Sequence, residues 1–205
     1  MGYYLEQVLP RIQNKVMDNK RMRQARERVC HGLHGEIVEI GFGTGLNATH
    51  YPDAVTKILA IEPSDTCMNL AKPRLTTLSA TVERAGLDGE RLDLPDQEYE
   101  AVLSTWTLCT IPDLDAALGE IRRVLKPGGA LHFIEHGHAP DEKIARWQRR
   151  IEPLNKRLLG GCHLTRRISE SIEQAGFEVD HLDTYYAKGD PKPFGFTYEG
   201  HALKK

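Results

Sequence analysis

Apolar and polar positions divide the chain into segments before any motif is considered. Leu5, Val8, Leu9, Ile12 and Val16 recur at helical spacing, with Pro10 marking a helix start or a break. Met22, Ala25 and Val29 continue a helical pattern among Arg and Lys, until Gly32 and Gly35 stop it. Short apolar runs then take over. Ile37, Val38 and Ile40 predict a buried strand running into Gly41, and Ile58, Leu59 and Ile61 predict a second ending at Glu62. A weaker strand lies at Thr81–Ala85, another at Ala101–Leu103 ending at Ser104 and Thr105, and another at Leu131–Ile134 ending at Glu135. Between the last two, Leu114, Leu118, Ile121 and Leu125 share one helix face, and Lys126-Pro127-Gly128-Gly129 predicts the stop and turn.

Apolar strands alternating with helices predict a parallel sheet covered on both faces. The C-terminus departs from that pattern. Phe177–Ala187 and Phe194–Leu203 are strand-like and joined by Lys188–Pro193, which predicts an antiparallel hairpin added to the sheet. Residues 136–164 are long for a strand-to-helix connection and contain helical pieces. An insertion there sits at the carboxyl edge of the strands, where open α/β sheets bind ligands. The chain reads as one domain: a helical lid over residues 1–35, a ligand-binding core at 36–135, the insertion at 136–164, and a last helix with the hairpin at 165–205.

Composition narrows the class. At 205 residues, 40% hydrophobic and 27% charged, the chain can bury a core unaided and is neither disordered nor fibrous. No run approaches the roughly 18 apolar residues of a membrane span, and the first ten residues lack a signal-peptide pattern, so a cytoplasmic protein is expected. Cys30, Cys67, Cys109 and Cys162 are too scattered for a disulfide scaffold or a CxxC site. They read as reduced thiols, with a disulfide left open. The net charge of −2 speaks against bulk nucleic-acid binding. Charge is uneven, however: residues 1–35 carry seven Lys/Arg against three Asp/Glu, and residues 137–167 carry eight against three. These segments are either solvated helix faces or a rim for an anionic substrate or a membrane surface, the latter through 1–35 or 143–167.

The chemistry concentrates after the first strand. Gly41-Phe42-Gly43-Thr44-Gly45 leaves a strand and is expected to enter a helix, whose free N–H groups would suit a phosphate, carboxylate or ribose. Leu46 stands where a dinucleotide fingerprint needs its third small residue, and no lysine completes a nucleoside-triphosphate loop. Glu62, at the end of the next strand, can accept hydrogen bonds from both hydroxyls of a ribose. Each feature has a plainer reading, a tight turn for the loop and a helix cap for the acid. Together they point to an adenosine-containing ligand with no pyrophosphate requirement.

These residues resemble the class I S-adenosylmethionine-dependent methyltransferases. The resemblance rests on Val38-Glu39-Ile40-Gly41-Phe42-Gly43-Thr44-Gly45, Ile61-Glu62-Pro63-Ser64, Asp88-Gly89-Glu90-Arg91-Leu92, Tyr99-Glu100-Ala101-Val102 and Arg123-Val124-Leu125-Lys126-Pro127-Gly128-Gly129. It implies a Rossmann-like α/β fold, with a seven-stranded, mostly parallel sheet, a C-terminal antiparallel hairpin and helices on both faces. It implies S-adenosyl-L-methionine as cofactor and S-adenosyl-L-homocysteine as product. Gly41, Phe42, Gly43, Gly45, Glu62, Pro63, Asp88, Gly89, Glu90, Thr105 and Trp106 would bind that donor, Asp88 standing where the family has an acid for the adenine amino group. A narrower resemblance runs through Ser104–Cys109, Phe133–His136 and Gly161–Arg166, which look like the branch of the microsomal alkyl-thiol methyltransferases and their phospholipid- and quinone-methylating relatives. The chain differs from the microsomal members in showing no apolar N-terminal anchor.

Methyl transfer from a sulfonium is an in-line displacement, so an enzyme gains most by aligning the partners. A thiol, with a pKa near ~8.5, is partly ionised at neutral pH and needs little further help, whereas a phenol or amine needs a base. His136, after the fifth strand, and His163 are the candidate catalytic residues, as base or substrate orienter, with a structural role as the alternative for each. No metal site is expected, because Glu135, His136 and His138 alternate along a strand end rather than converging. The expected function is methylation of a small, lipophilic acceptor, a thiol first, then a phospholipid amine, quinol or phenol. A nicotinamide-dependent oxidoreductase and a non-catalytic donor-binding module are the alternatives. No Asn/Asp-Pro-Pro-Tyr motif points to nucleic acid, and oligomeric state stays open.

Overall fold

A computed structural model of the chain describes residues 2–205. The apolar runs form strands β1 (Gly35–Ile40), β2 (Val55–Ile61), β3 (Thr81–Gly86), β4 (Tyr99–Thr105) and β5 (Leu125–His136), all parallel to one another. β6 (Phe177–Tyr186) and β7 (Phe196–Lys204) form the expected hairpin, and β7 pairs antiparallel with β5. The order is β3-β2-β1-β4-β5-β7-β6. Strand order therefore reverses at β1, which lies between β2 and β4 and opens a crevice at the carboxyl ends of β1 and β4.

Residues alternate between the two faces, and helices cover both. Val38, Ile40, Leu59, Val102 and Phe133 pack with Leu118 and Ile121 of α4 (Leu114–Val124) and with Ile168 and Ile172 of α6 (Ile168–Gln174). Ile37, Ile58, Ala60, Leu103 and Ile134 pack with Ala25 and Val29 of α2 (Lys20–Cys30) and with Ala71 of α3 (Asp65–Leu75). Caps set the helix starts: Asn19, Ser64 and Asp113 each accept from the backbone N–H three residues on. The insertion holds α5 (Glu142–Leu158), capped by Asp141, and a single turn, α7 (Lys192–Gly195), interrupts the hairpin connection.

Two local expectations change, and the one for Pro10 holds. No regular helix follows the glycine loop. Residues 44–50 run as successive turns, with Ala48 N–H bonded to Gly45 O and His50 N–H to Asn47 O. Asn47 is turned inward onto buried partners, and Pro52 limits the segment, so a helix has no room to propagate. Leu125 opens β5 opposite Tyr99 instead of closing α4, and Lys126–Gly129 bulge out before Ala130 rejoins the ladder opposite Ala101. Pro10 lies in the first turn of α1 (Leu9–Val16), and the preceding apolar residues form a wider π-helical turn, Tyr4–Val8. No helix among the described residues is long and apolar enough to cross a membrane.

One side chain fixes the loop after β4. Glu135, fully buried at the end of β5, accepts from Ser104 Oγ (2.7 Å) and from the backbone N–H of Thr107 (3.0 Å), Leu108 (3.0 Å) and Cys109 (3.1 Å). Burial pushes its carboxyl above the ordinary range, and the four donors oppose that shift. The Arg166 guanidinium takes the same loop by its carbonyls, donating to Leu108 O, Ile111 O and Pro112 O. Glu135→Ala orphans these buried donors at roughly 1–3 kcal/mol each, before relaxation. We expect it to lower stability by about 3–5 kcal/mol in urea unfolding, with Glu135→Gln milder. An unchanged unfolding midpoint for Glu135→Ala would remove this role.

Candidate active site

The crevice at the carboxyl ends of β1 and β4 holds a cavity of about 280 Å³. Of the donor-binding candidates, Gly41, Phe42, Gly43, Glu62, Pro63, Thr105 and Trp106 line it. The glycine loop is built for close approach. Gly41, at φ 71°, has no space for a side chain, because a Cβ there would overlap the side chain of Thr107. Gly45, at φ 70°, lies so close to α3 that a Cβ would sit 3.0 Å from Ala71 Cβ. Gly43, at φ 58°, has room by comparison, since a Cβ there would make only an ordinary contact with Gly41 O at 3.8 Å.

Glu62 closes the loop electrostatically. Its Oε2 accepts from Gly43 N–H and its Oε1 from Ser64 N–H, both at 2.8 Å. Arg84 holds the same corner, donating to Glu62 O at 2.8 Å and Pro63 O at 2.9 Å. Burial raises the Glu62 carboxyl, and the two backbone donors oppose that. Each carboxylate oxygen has further lone-pair capacity, and the residue lines the cavity.

Asp88, Gly89 and Glu90 are not brought to that lining. Asp88 is exposed and accepts from Glu90 N–H at 2.9 Å, while Glu90 accepts from Asp113 N–H. Their loop still borders the site. Gly89 packs over Ile40, the residue before Gly41, so closely that a Cβ would come within 3.0 Å of it.

The main residue missed by the sequence reading is Arg26. It is 5% exposed, lines the cavity, and donates to Asn47 Oδ1 (2.8 Å) and Thr105 Oγ1 (3.1 Å). Its guanidinium lies 4.7 Å from the centre of the Trp106 ring. Its Nε has no hydrogen-bond partner among the described residues. Asn47 also donates to Glu39 Oε1 at 2.6 Å, and Tyr51 OH donates to Glu39 Oε2. Desolvation drives this network: it pushes the Glu39 carboxyl up to about 8 and Arg26 down to about 10. A signal was available, because Arg26 occupies the same helical stripe as Met22, Ala25 and Val29, where a solvated arginine does not belong.

Trp106 divides the site. Its backbone adopts φ 54°, an uncommon left-handed conformation for a large side chain, with its N–H bonded to Ile134 O at 2.7 Å. It lines both the first cavity and a second of about 240 Å³. His136 lines the second cavity, its ring centre 6.4 Å from that of Trp106. His163 lines neither. Its Nδ1 lies 3.7 Å from Glu152 Oε1, its N–H donates to Cys109 O, and burial lowers its pKa. Beside His136, the sulfurs of Cys109 and Cys162 lie 3.6 Å apart. Their hydrogen bond lowers the Cys162 thiol, as does His136, and raises that of Cys109. Leu5, Pro10, Gln13 and Met17 of the N-terminal helices, with Leu159 and Gly160 beyond α5, cover the first cavity. A larger cavity, about 430 Å³, opens beside Arg28, His132, His181 and His201 and holds none of the motif residues.

Residues 38–133 match the methyltransferase domain family. The thiol S-methyltransferase TMT1B of Rattus norvegicus is 32% identical over 198 residues, covering 94% of this chain and 79% of that protein. A phosphatidylethanolamine N-methyltransferase of Cereibacter sphaeroides is 27% identical over 124 residues, 60% of each chain. The crystal structure of an S-adenosylmethionine-dependent methyltransferase from Mesorhizobium loti superposes with TM-score 0.66 at 16% identity, over 91% of this chain and 99% of that one. That last likeness concerns the fold alone.

The buried acid gives the site a pH signature. A carboxyl raised to about 8 in the folded state contributes stability that is complete below its ordinary value of 4.5 and lost as pH rises through 8. Glu39→Gln removes that titration. The variant should therefore gain on the native protein by up to about 1.4 kcal/mol per pH unit within that window. Urea unfolding of both proteins across pH 5–8.5 checks this, and a constant difference would reject the assignment.

Proposed function

The chain belongs to the class I S-adenosylmethionine-dependent methyltransferases, and we propose that it methylates a small lipophilic acceptor, a thiol before a phospholipid amine or a quinol. The observation that carries the thiol reading is the reach of the similarity to a thiol S-methyltransferase. It covers 94% of the chain, so it extends beyond the donor-binding core into the segments that frame the acceptor side. The exposed apolar residues Ile12 and Val16 on α1 and Leu154 and Leu158 on α5 flank the cover of the first cavity and suit a lipophilic acceptor or its membrane source.

The donor fits the residues present. When bound, S-adenosylmethionine supplies an electrophilic sulfonium methyl and leaves as S-adenosylhomocysteine. Glu62 is positioned to take the ribose hydroxyls on its spare lone pairs. Arg26, buried in the same cavity with an unpaired Nε, is suited to the donor's carboxylate. Asp88 to Glu90, on the loop over Ile40, remain the candidates for the adenine end. Trp106 lines both cavities, so an acceptor in the second would approach a donor in the first past its ring. We place His136 against the acceptor and give His163 a structural part in holding the 162–166 segment to Cys109. The N-terminal helices act as a lid.

Glu62→Ala should weaken S-adenosylhomocysteine binding by about 1–3 kcal/mol, the range for hydrogen bonds to a charged group. Calorimetry on the folded variant measures this, and unchanged affinity would reject the ribose assignment. Parallel assays of S-adenosylhomocysteine formation with an alkyl thiol, a quinol and phosphatidylethanolamine liposomes should give fastest turnover with the thiol. Turnover confined to another class would replace the thiol while leaving methyl transfer in place.

A further inference from the structure

Three segments far apart in sequence meet behind Trp106. Cys109 comes from the loop after β4, His136 from the end of β5, and Cys162 from the segment after α5. One ligand atom from each lies within 4.8 Å of the other two. The sulfur–sulfur distance is 3.6 Å. A disulfide needs about 2.05 Å, whereas two thiolates at ~2.3 Å from a tetrahedral zinc ion stand about 3.8 Å apart. The observed spacing is too long for a disulfide, and it suits two sulfurs around a common ion as well as it suits the thiol hydrogen bond.

We propose that Cys109, His136 and Cys162 form a three-ligand site for a soft divalent transition metal, zinc first, with a fourth position left for water or an exogenous ligand. The donor set suits such an ion, since two thiolates and one imidazole bind zinc in many sites that keep an open position. Two thiolates also balance a divalent charge, which matters where both sulfurs are almost fully buried. His136 is half-buried and lines the cavity shared with Trp106, so the ion is reachable from the acceptor side.

The surrounding shell holds each ligand. Cys109 N–H is fixed by Glu135 Oε2 at 3.1 Å, and Cys162 O accepts from Asn155 Nδ2 at 2.7 Å. Asn155 is 4% exposed, and its Oδ1 has no partner among the described residues, an acceptor that a metal-bound water suits. Gly161 brings the two cysteine segments together, because a Cβ there would stand 2.9 Å from Thr110 O. A redox-active cysteine pair, with His136 lowering the Cys162 thiol, is the competing use of the same three side chains, and metal uptake set against oxidation tells the two apart. The site also departs from the sequence expectation of no metal, since it takes only His136 from the Glu135–His138 run and draws its other ligands from distant segments. It does not depend on which acceptor is methylated.

The test uses the full chain, reduced, stripped of metal and kept anaerobic. Cobalt(II) titration should saturate at one equivalent, with thiolate-to-cobalt charge transfer and the intense visible bands of four-coordinate cobalt, and zinc should displace it. Cys109→Ala, Cys162→Ala and His136→Ala should each lower metal affinity at least about tenfold. Calorimetric binding of S-adenosylhomocysteine checks that each variant is folded. His136→Ala, at the half-buried position, keeps the test decisive if a cysteine variant does not fold. No charge transfer in the native protein, or equal affinity in His136→Ala, would overturn the site. Loss of two hydrogens in intact mass on air exposure, with no metal uptake by the reduced chain, would overturn it in favour of a disulfide.

Discussion

The buried carboxylate of Glu135 is the constraint on which the site's geometry depends. A carboxylate at the end of a central strand has no solvent to accept from, so it must be satisfied by protein donors. It finds them in Ser104 and in three consecutive N–H groups of the loop after β4. With its amides gathered at one point, that loop has little freedom left, and Arg166 binds its carbonyls from the other side. Thr107 is then pressed into the space where Gly41 would carry a side chain. The loop after β4 thus shapes the loop after β1, whose Gly43 N–H in turn holds Glu62. A hydrogen-bond requirement at one strand end passes, contact by contact, to the acid at another.

A second buried set lies across the cavity, and it is costly by comparison. Arg26, Glu39, Asn47 and Thr105 pair with one another, yet Arg26 keeps one unpaired nitrogen and Trp106 holds a left-handed backbone beside it. A core built for stability alone would replace such a network with apolar groups. Incomplete pairing and local strain in one place are what a polar ligand would compensate on binding. The two sets differ in kind: around Glu135 every donor has its acceptor, whereas around Arg26 the satisfaction is left open on the cavity side.

What was legible in the sequence follows from the range of the forces involved. The strands at 37–40, 58–61 and 101–103 could be read because burial on both faces leaves an apolar run that owes nothing to distant residues. Gly41 and Glu62 could be read because turn geometry and a strand-end acid are local signals. The helix after the glycine loop failed because Asn47 prefers long-range partners, Glu39 and Arg26, to helix propagation. Leu125 matched the helical period equally well as the first residue of a strand, and ladder pairing with Tyr99 decides between the two. Arg26 was hidden by its neighbours, since a helix rich in Arg and Lys reads as solvated unless each basic residue is checked against the apolar stripe. The Cys109, His136 and Cys162 cluster was not legible at all, because no spacing rule covers ligands brought together by three separate loops.

The placement of Cys109 ties these strands of argument together. It lies two residues beyond Thr107, on the loop that Glu135 immobilises, and its own N–H is one of the four donors. The wall of the first cavity and the sulfur beside His136 are thus parts of one segment held by the same carboxylate. His136 follows Glu135 directly in β5, so the residue that anchors the loop and the imidazole beside the sulfurs share a single backbone. Alignment in a displacement reaction is a matter of relative position, and a small misplacement of one partner is expensive. Holding both on one hydrogen-bonded frame keeps the walls of the two cavities in a fixed relation.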